Sequence, residues 1–218
     1  MKRFVLIALI AVLSMPALPA AAQEIGRVRE VVLDAYGTPA ARDRRPLYGR
    51  TKVSANETVE TVDGGGLHLR FLDRTDFHLG SQSVVILDEF VYDSATSAGK
   101  MVIRMSKGTF RFVSGKMVKS GVAIRTPTAL IGIRGTDFMV VVEDNGTTGV
   151  VVTEGEVEIT PNIGGDVPVI VAAGSTALVG TNGAIDLGAR IEIEDPVEAM
   201  NEASESNIGG DSGGGGDY

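Results

Sequence analysis

The stretch Met101-Val102-Ile103-Arg104-Met105-Ser106-Lys107-Gly108-Thr109-Phe110-Arg111-Phe112 places apolar side chains at 101, 103 and 105, and again at 110 and 112. Within each run the period is two, the spacing of a strand with one face buried. Between the runs the parity slips by one residue, at Lys107-Gly108. A two-residue turn of the kind that needs glycine predicts that slip. It sets Met105 opposite Phe110, Ile103 opposite Phe112, and Arg104 facing Arg111 on the other side. Working outward, Leu67-Leu69-Phe71 and Phe77-Leu79 predict a second hairpin with a three-residue loop from Asp73 to Thr75. That register places Phe71 opposite Phe77 and Leu69 opposite Leu79, with Arg70 facing His78 and His68 beside them.

The same alternation recurs at Val84-Ile86, Val122-Ile124, Phe138-Val140-Val142, Val150-Val152, Val157-Ile159 and Val167-Val169-Val171. No window before Pro196 sustains a helical period. The expected fold class is all-β, built of stacked short antiparallel hairpins in a solenoid-like or sandwich-like arrangement.

At 218 residues the chain is long enough for a substantial core, yet it contains no Cys, so burial and hydrogen bonding must hold it together without disulfides or thiolate metal sites. Its first residues carry Lys2 and Arg3, an apolar run from Phe4 to Leu13, and the small residues Ala20-Ala21-Ala22. This pattern predicts a signal peptide over 1–22, cleaved near Ala22. The apolar run is shorter than the ~20 residues a spanning helix needs. The expected product is periplasmic or secreted, with one all-β domain over 23–195.

Charge is unevenly distributed. From Lys100 to Thr136 there are eight basic residues and no acidic one, whereas from Asp137 onward acidic residues dominate and Arg190 is the single base. Like charges directly opposite on a sheet repel, so Arg104 facing Arg111 calls for compensation. A carboxylate of a neighbouring strand, Asp88 or Glu89, would supply it. The alternative is an anionic partner on a strip formed by Arg104, Arg111, Lys116 and Lys119. Residues 196–218, poor in apolar side chains and rich in Gly and acid, read as a disordered acidic tail. Such a tail is expected to lie over the basic strip and compete with a partner.

No catalytic constellation is legible. Gly-x-Ser-x-Gly is met only by Gly210-Asp211-Ser212-Gly213-Gly214 in the low-complexity tail, where glycine abundance alone produces it; there is no Ser with an identifiable His partner and no cofactor motif. His68, His78, Asp73 and Asp76 form the one grouping with metal-ligand chemistry, but a guanidinium between the histidines disfavours a cation, so no metal is expected. The chain is expected to be a non-enzymatic binding protein without cofactors.

The segment Ile124-Arg125-Thr126-Pro127-Thr128-Ala129-Leu130-Ile131-Gly132-Ile133-Arg134-Gly135-Thr136-Asp137-Phe138 has a physical reading of its own. Pro127 removes a ladder donor, so a strand must end or lie at an edge there. Gly132 and Gly135 permit a bulge or positive φ around Arg134, which is expected to point into a tight bend and pair with Asp137 or Glu154. The segment also resembles the signature of FecR-like periplasmic domains, carried here by Thr126, Pro127, Gly132, Arg134, Gly135, Thr136 and Phe138. The flanking DGGGLHLRFLDRTDFHLGSQS, GTFRF and TTGVVVTEGEVEI resemble the family in order and spacing, over 57–159.

The resemblance implies an all-β, solenoid-like periplasmic module. The best-known relatives are inner-membrane regulators that carry a signal from a TonB-dependent receptor to an extracytoplasmic sigma factor. They have a cytoplasmic anti-sigma segment and a transmembrane helix ahead of the domain, whereas here the leader runs almost directly into strands. Sigma-factor control is therefore not carried over. What the resemblance implies is an exported module that binds an envelope or periplasmic protein. The alternative is an envelope scaffold that binds an anionic polysaccharide. Nucleic acid is not an expected partner.

Overall fold

The computed structural model describes residues 23–165 and 167–208, without the side chains of Thr136 and 206–208. The expected leader, 1–22, lies outside the described residues. The strands are, in chain order, β1 (Glu24–Val32), β2 (Ala35–Thr38), β3 (Arg45–Pro46), β4 (Lys52–Ser54), β5 (Glu57–Thr61), β6 (Gly66–Phe71), β7 (Asp76–Leu79), β8 (Val84–Tyr92) and β9 (Gly99–Val113). Then follow β10 (Val122–Arg125), β11 (Ala129–Val142), β12 (Thr148–Pro161), β13 (Val169–Ala172), β14 (Thr176–Val179), β15 (Ile185–Leu187) and, as the one α-helix among the described residues, α1 (Pro196–Ile208).

Every strand belongs to one hydrogen-bonded network, but the long strands change neighbours along their length. The first part of β9 lies between β8 and a parallel β10, and its last part between β7 and β11. In β12, residues 156–159 pair with β13 and residues 148–151 with β14. The sheet thereby doubles over into two layers. One runs β4-β1-β6-β7-β9-β11-β12-β14-β15 and the other β3-β2-β5-β8-β9-β10-β11-β12-β13. The layers face a common core, where Phe71 of β6 stacks on Phe90 of β8 at 5.6 Å and Phe112 packs on Phe138 at 5.5 Å. The all-β, sandwich-like expectation therefore holds.

Both expected hairpins need correction. Residues 99–113 are one continuous strand with no turn at Lys107-Gly108. The parity slip is a bulge: Val84 pairs with Lys107 while Val85 pairs with Met105. Gly108 takes φ +105°, and a Cβ there would lie 2.5 Å from Ser83 Cα. One extra residue resets the alternation just as a tight turn does, so Met101, Ile103, Met105, Phe110 and Phe112 all stay buried. Arg104 and Arg111 consequently do not face each other; they lie on the outer faces of different layers.

The β6–β7 hairpin exists, with its register two residues from the expected one. Leu69 faces Phe77, Leu67 faces Leu79, and Arg70 faces Asp76. A two-residue shift keeps every side chain on its face, so alternation cannot detect it. The turn is fixed locally instead: the buried Asp73 carboxylate accepts from the Thr75 amide at 3.1 Å and from its hydroxyl at 2.7 Å, and Arg74 takes φ +71°.

The acidic tail departs from expectation at its start, where residues 196–208 form α1 against the outer face of β6, β7 and β9. Residues 209–218 lie outside the described residues. Low apolar content is enough here because the sheet supplies the other half of the contact.

Candidate functional site

β10 ends at Arg125, and Thr126-Pro127-Thr128 turns the chain into β11, with the Thr126 amide bonded to Ala129 O at 2.9 Å. Three buried hydroxyls close this turn. Thr128 Oγ1 donates to Thr148 Oγ1 (2.8 Å), which donates to Thr126 Oγ1 (2.9 Å), which accepts the Ala129 amide (2.9 Å). Asn162 Nδ2 donates to the carbonyls of Thr126 and Pro127 from outside. Phe138 is fully buried in the core.

The glycine bracket divides. Gly135, at φ +88°, lies in the register shift just before the pair of Thr136 with Gly155, itself at φ +72°, where β11 and β12 together cross from one layer to the other. Gly132 takes no positive φ and lies in regular strand between Ala123 and Glu158. It floors an outer groove of about 770 Å³ lined by Val118, Lys119, Arg134, Glu156 and Glu158.

Arg134 is also corrected. It does not enter the bend but lies half exposed on that groove, bonded to Glu158 and 3.9 Å from Glu156. Its place follows from parity, since Ile133 points into the core and the next residue must point out. Thr136 pairs with Gly155 in the backbone, and its side chain lies outside the described residues.

The four residues of the expected strip are separated. Arg104 pairs with Asp88 at 2.7 Å, and Lys100 beside it with Glu89 at 2.8 Å, which supplies the neighbouring-strand compensation. Arg111 holds Asp137 with two hydrogen bonds (2.9 and 2.6 Å) and Asp195 with a third (2.5 Å). The Asp137 carboxylate beside it raises the Arg111 pKa further. Lys116 is exposed, whereas Lys119 donates to Gly115 O at 2.6 Å, and burial lowers its pKa.

Next to Arg111, the His68 and His78 rings stack at 4.1 Å. Asp76 Oδ1 lies 2.6 Å from His68 Nε2, and its carboxylate receives Arg70 through two bonds. Burial pushes the Asp76 carboxyl up, but the hydrogen bonds from Arg70 and His68 outweigh it and hold the group below its ordinary value. His78 is pushed down to about 4 by desolvation and by its neighbour His68. Among the described residues no cluster of three or more potential ligands has metal-binding geometry.

Two features are not visible in the alternation. The Asp195 carboxylate accepts the Val197 amide at 2.9 Å and so caps α1, with Pro196 in the first helical position. That Asp-Pro pair is a helix-start signal in its own right. β13 pairs with β12 and with no other strand among the described residues, which leaves an apolar edge where Val167 is 77% and Ile170 46% exposed.

Residues 57–158 match the family described as FecR protein. These residues are a FecR domain. The match begins in β5 and ends in β12. The elements before and after it, including the β4 and β13 edges and α1, therefore flank the FecR domain. Two crystal structures described as "a putative anti-sigma factor" from Parabacteroides distasonis ATCC 8503 are similar to the chain at 20% identity, with TM-scores of 0.48 and 0.47. The similarity covers 64% of this chain and 60% of the length of each of them. No curated protein matches the chain. Among the described residues no helix is long and apolar enough to cross a membrane.

Proposed function

We propose that the chain is an exported, non-enzymatic FecR module that binds a protein of the cell envelope, and that the partner adds a strand along β13. The free edge of β13 carries this reading. A strand with one unpaired side, Val and Ile side chains and no charge between Val167 and Ala172 is the surface that strand addition uses. Native sheets usually blunt such edges with Lys, Pro or a covering element; here Pro168 stands just before the strand, and Val169–Ala172 itself holds neither Lys nor Pro. Anionic glycan as the partner has less support, because Arg104 and Arg111 are already engaged by carboxylates.

The test is cross-linking in intact cells followed by purification of the full-length chain. Wild type is expected to yield one discrete envelope-protein adduct, and Ile170→Lys, at an exposed position, to reduce it at least about tenfold without altering the fold. An adduct insensitive to Ile170→Lys, or recovery of the chain from the cytosol, would contradict the reading.

A further inference from the structure

The outer face of the first layer beneath α1 is a slot with a glycine floor. A Cβ on Gly66 would lie 2.4 Å from Met200 Cγ, so the missing side chain is what admits the methionine. Gly80 lies under Pro196, whose Cγ would be 3.7 Å from a Cβ there. Arg111 closes one end, with Nη1 turned away from Asp137 and onto Asp195. The slot thus reads three features in order: a carboxylate, a compact apolar residue that starts a helix, and a long flexible apolar side chain one turn later.

α1 satisfies these features but fills the slot poorly. Of its described side chains, only Pro196 and Met200 are buried. A cavity of about 370 Å³ remains between helix and sheet, lined among others by Gly64, Gly65, Ser81 and Thr109. Residues 189–195, which lead into α1, form neither strand nor helix. Beyond these two side chains, α1 is tied down by its Asp195 cap with the Arg111 pair and by a 3.3 Å hydrogen bond from Ser204 to Glu30 near its exposed end; a helix with so little buried apolar surface belongs to the low-stability end of a structure.

We propose that this slot is a docking site for a helical segment of a partner protein that begins with a carboxylate and an apolar residue and carries Met or Leu one turn on, and that α1 occupies the site in cis until such a segment displaces it. The tether gives α1 a high effective concentration, so a competitor must fit better, and the unfilled volume is where a bulkier side chain gains contact. This site lies on the opposite layer from β13, and neither reading depends on the other.

The probe is a labelled synthetic peptide of residues 194–208, titrated into the full-length chain. Wild type, whose slot is filled, is expected to bind it at least about tenfold more weakly than the Met200→Asp chain, whose own helix is undocked. A peptide with Asp195→Asn is expected to bind the Met200→Asp chain about tenfold more weakly than the parent peptide, because Arg111 Nη1 then receives no carboxylate from the peptide. The Asp195→Ala chain, which loses the cap and the Arg111 pair but keeps Met200, repeats the comparison should Met200→Asp misfold. Equal binding to wild type and the opened chains, or no binding to a folded opened chain, overturns the proposal. A wild-type dimer that falls apart on Met200→Asp also overturns it, since the occupant is then a second copy.

Discussion

His78 stands in a ring of charge, with Asp76 and Asp195 drawing a proton toward it and Arg111, His68 and above all burial driving the proton off. Its folded pKa of about 4 lies below the ordinary 6.5. Above pH 6.5 neither state binds the proton and the group is neutral to stability. As pH falls from 6.5 to 4 the unfolded chain takes up the proton first, so stability is lost across that window, by about 3 kcal/mol at most. His78→Phe, which keeps a ring against His68 but cannot titrate, is expected to flatten the decline in urea-unfolding free energy between pH 6.5 and 4. An unchanged slope would place the acid-sensitive group elsewhere. The inward set Phe71, Phe77, Phe110, Phe112 and Phe138 was legible from period two, because alternation alone decides face. The partners of Arg111 were not, since Asp137 is 26 residues away and Asp195 is 84, and only the fold brings them together.

For a strand, the alternation signal is blind to two operations: a bulge, which mimics a turn, and a two-residue register slip, which changes no face. β9 shows the first and the β6–β7 hairpin the second. The glycines at the layer crossings make the distinction testable. At Gly135 a Cβ would meet nothing closer than Lys119 Cγ at 3.9 Å, so Gly135→Ala carries only the strain of a positive φ, about 1–2 kcal/mol. At Gly108 the same atom would strike the Ser83 backbone. Gly108→Ala is therefore expected to lower the urea-unfolding free energy by at least about twice as much as Gly135→Ala. Equal losses would mean that β9 does not run straight past β8. α1 was hidden for a different reason: its composition resembles a solvated tail, and only the Asp195-Pro196 start signal and the spacing of Pro196 and Met200 mark it as a docked helix.

Across the whole molecule, the basic segment 100–136 and the acidic segment that follows were plain in the sequence, and they suggested two opposed surfaces. Folding interleaves them instead. β9 and β10 are threaded between β8 and β11, so Arg111 meets Asp137 and Arg134 meets Glu158, while Arg104 meets Asp88 from the strand before. Much of the segregated charge is thereby turned into cross-strand pairs, and what stays open is an apolar edge. The proposed partner contact lies on that edge. Hydrogen–deuterium exchange of the full-length chain, with and without its cross-linked envelope partner, tests it most directly. Slower exchange confined to the amides of Val169–Ala172 is the predicted result. Unchanged exchange at β13, with protection appearing elsewhere on the sheet, would contradict it.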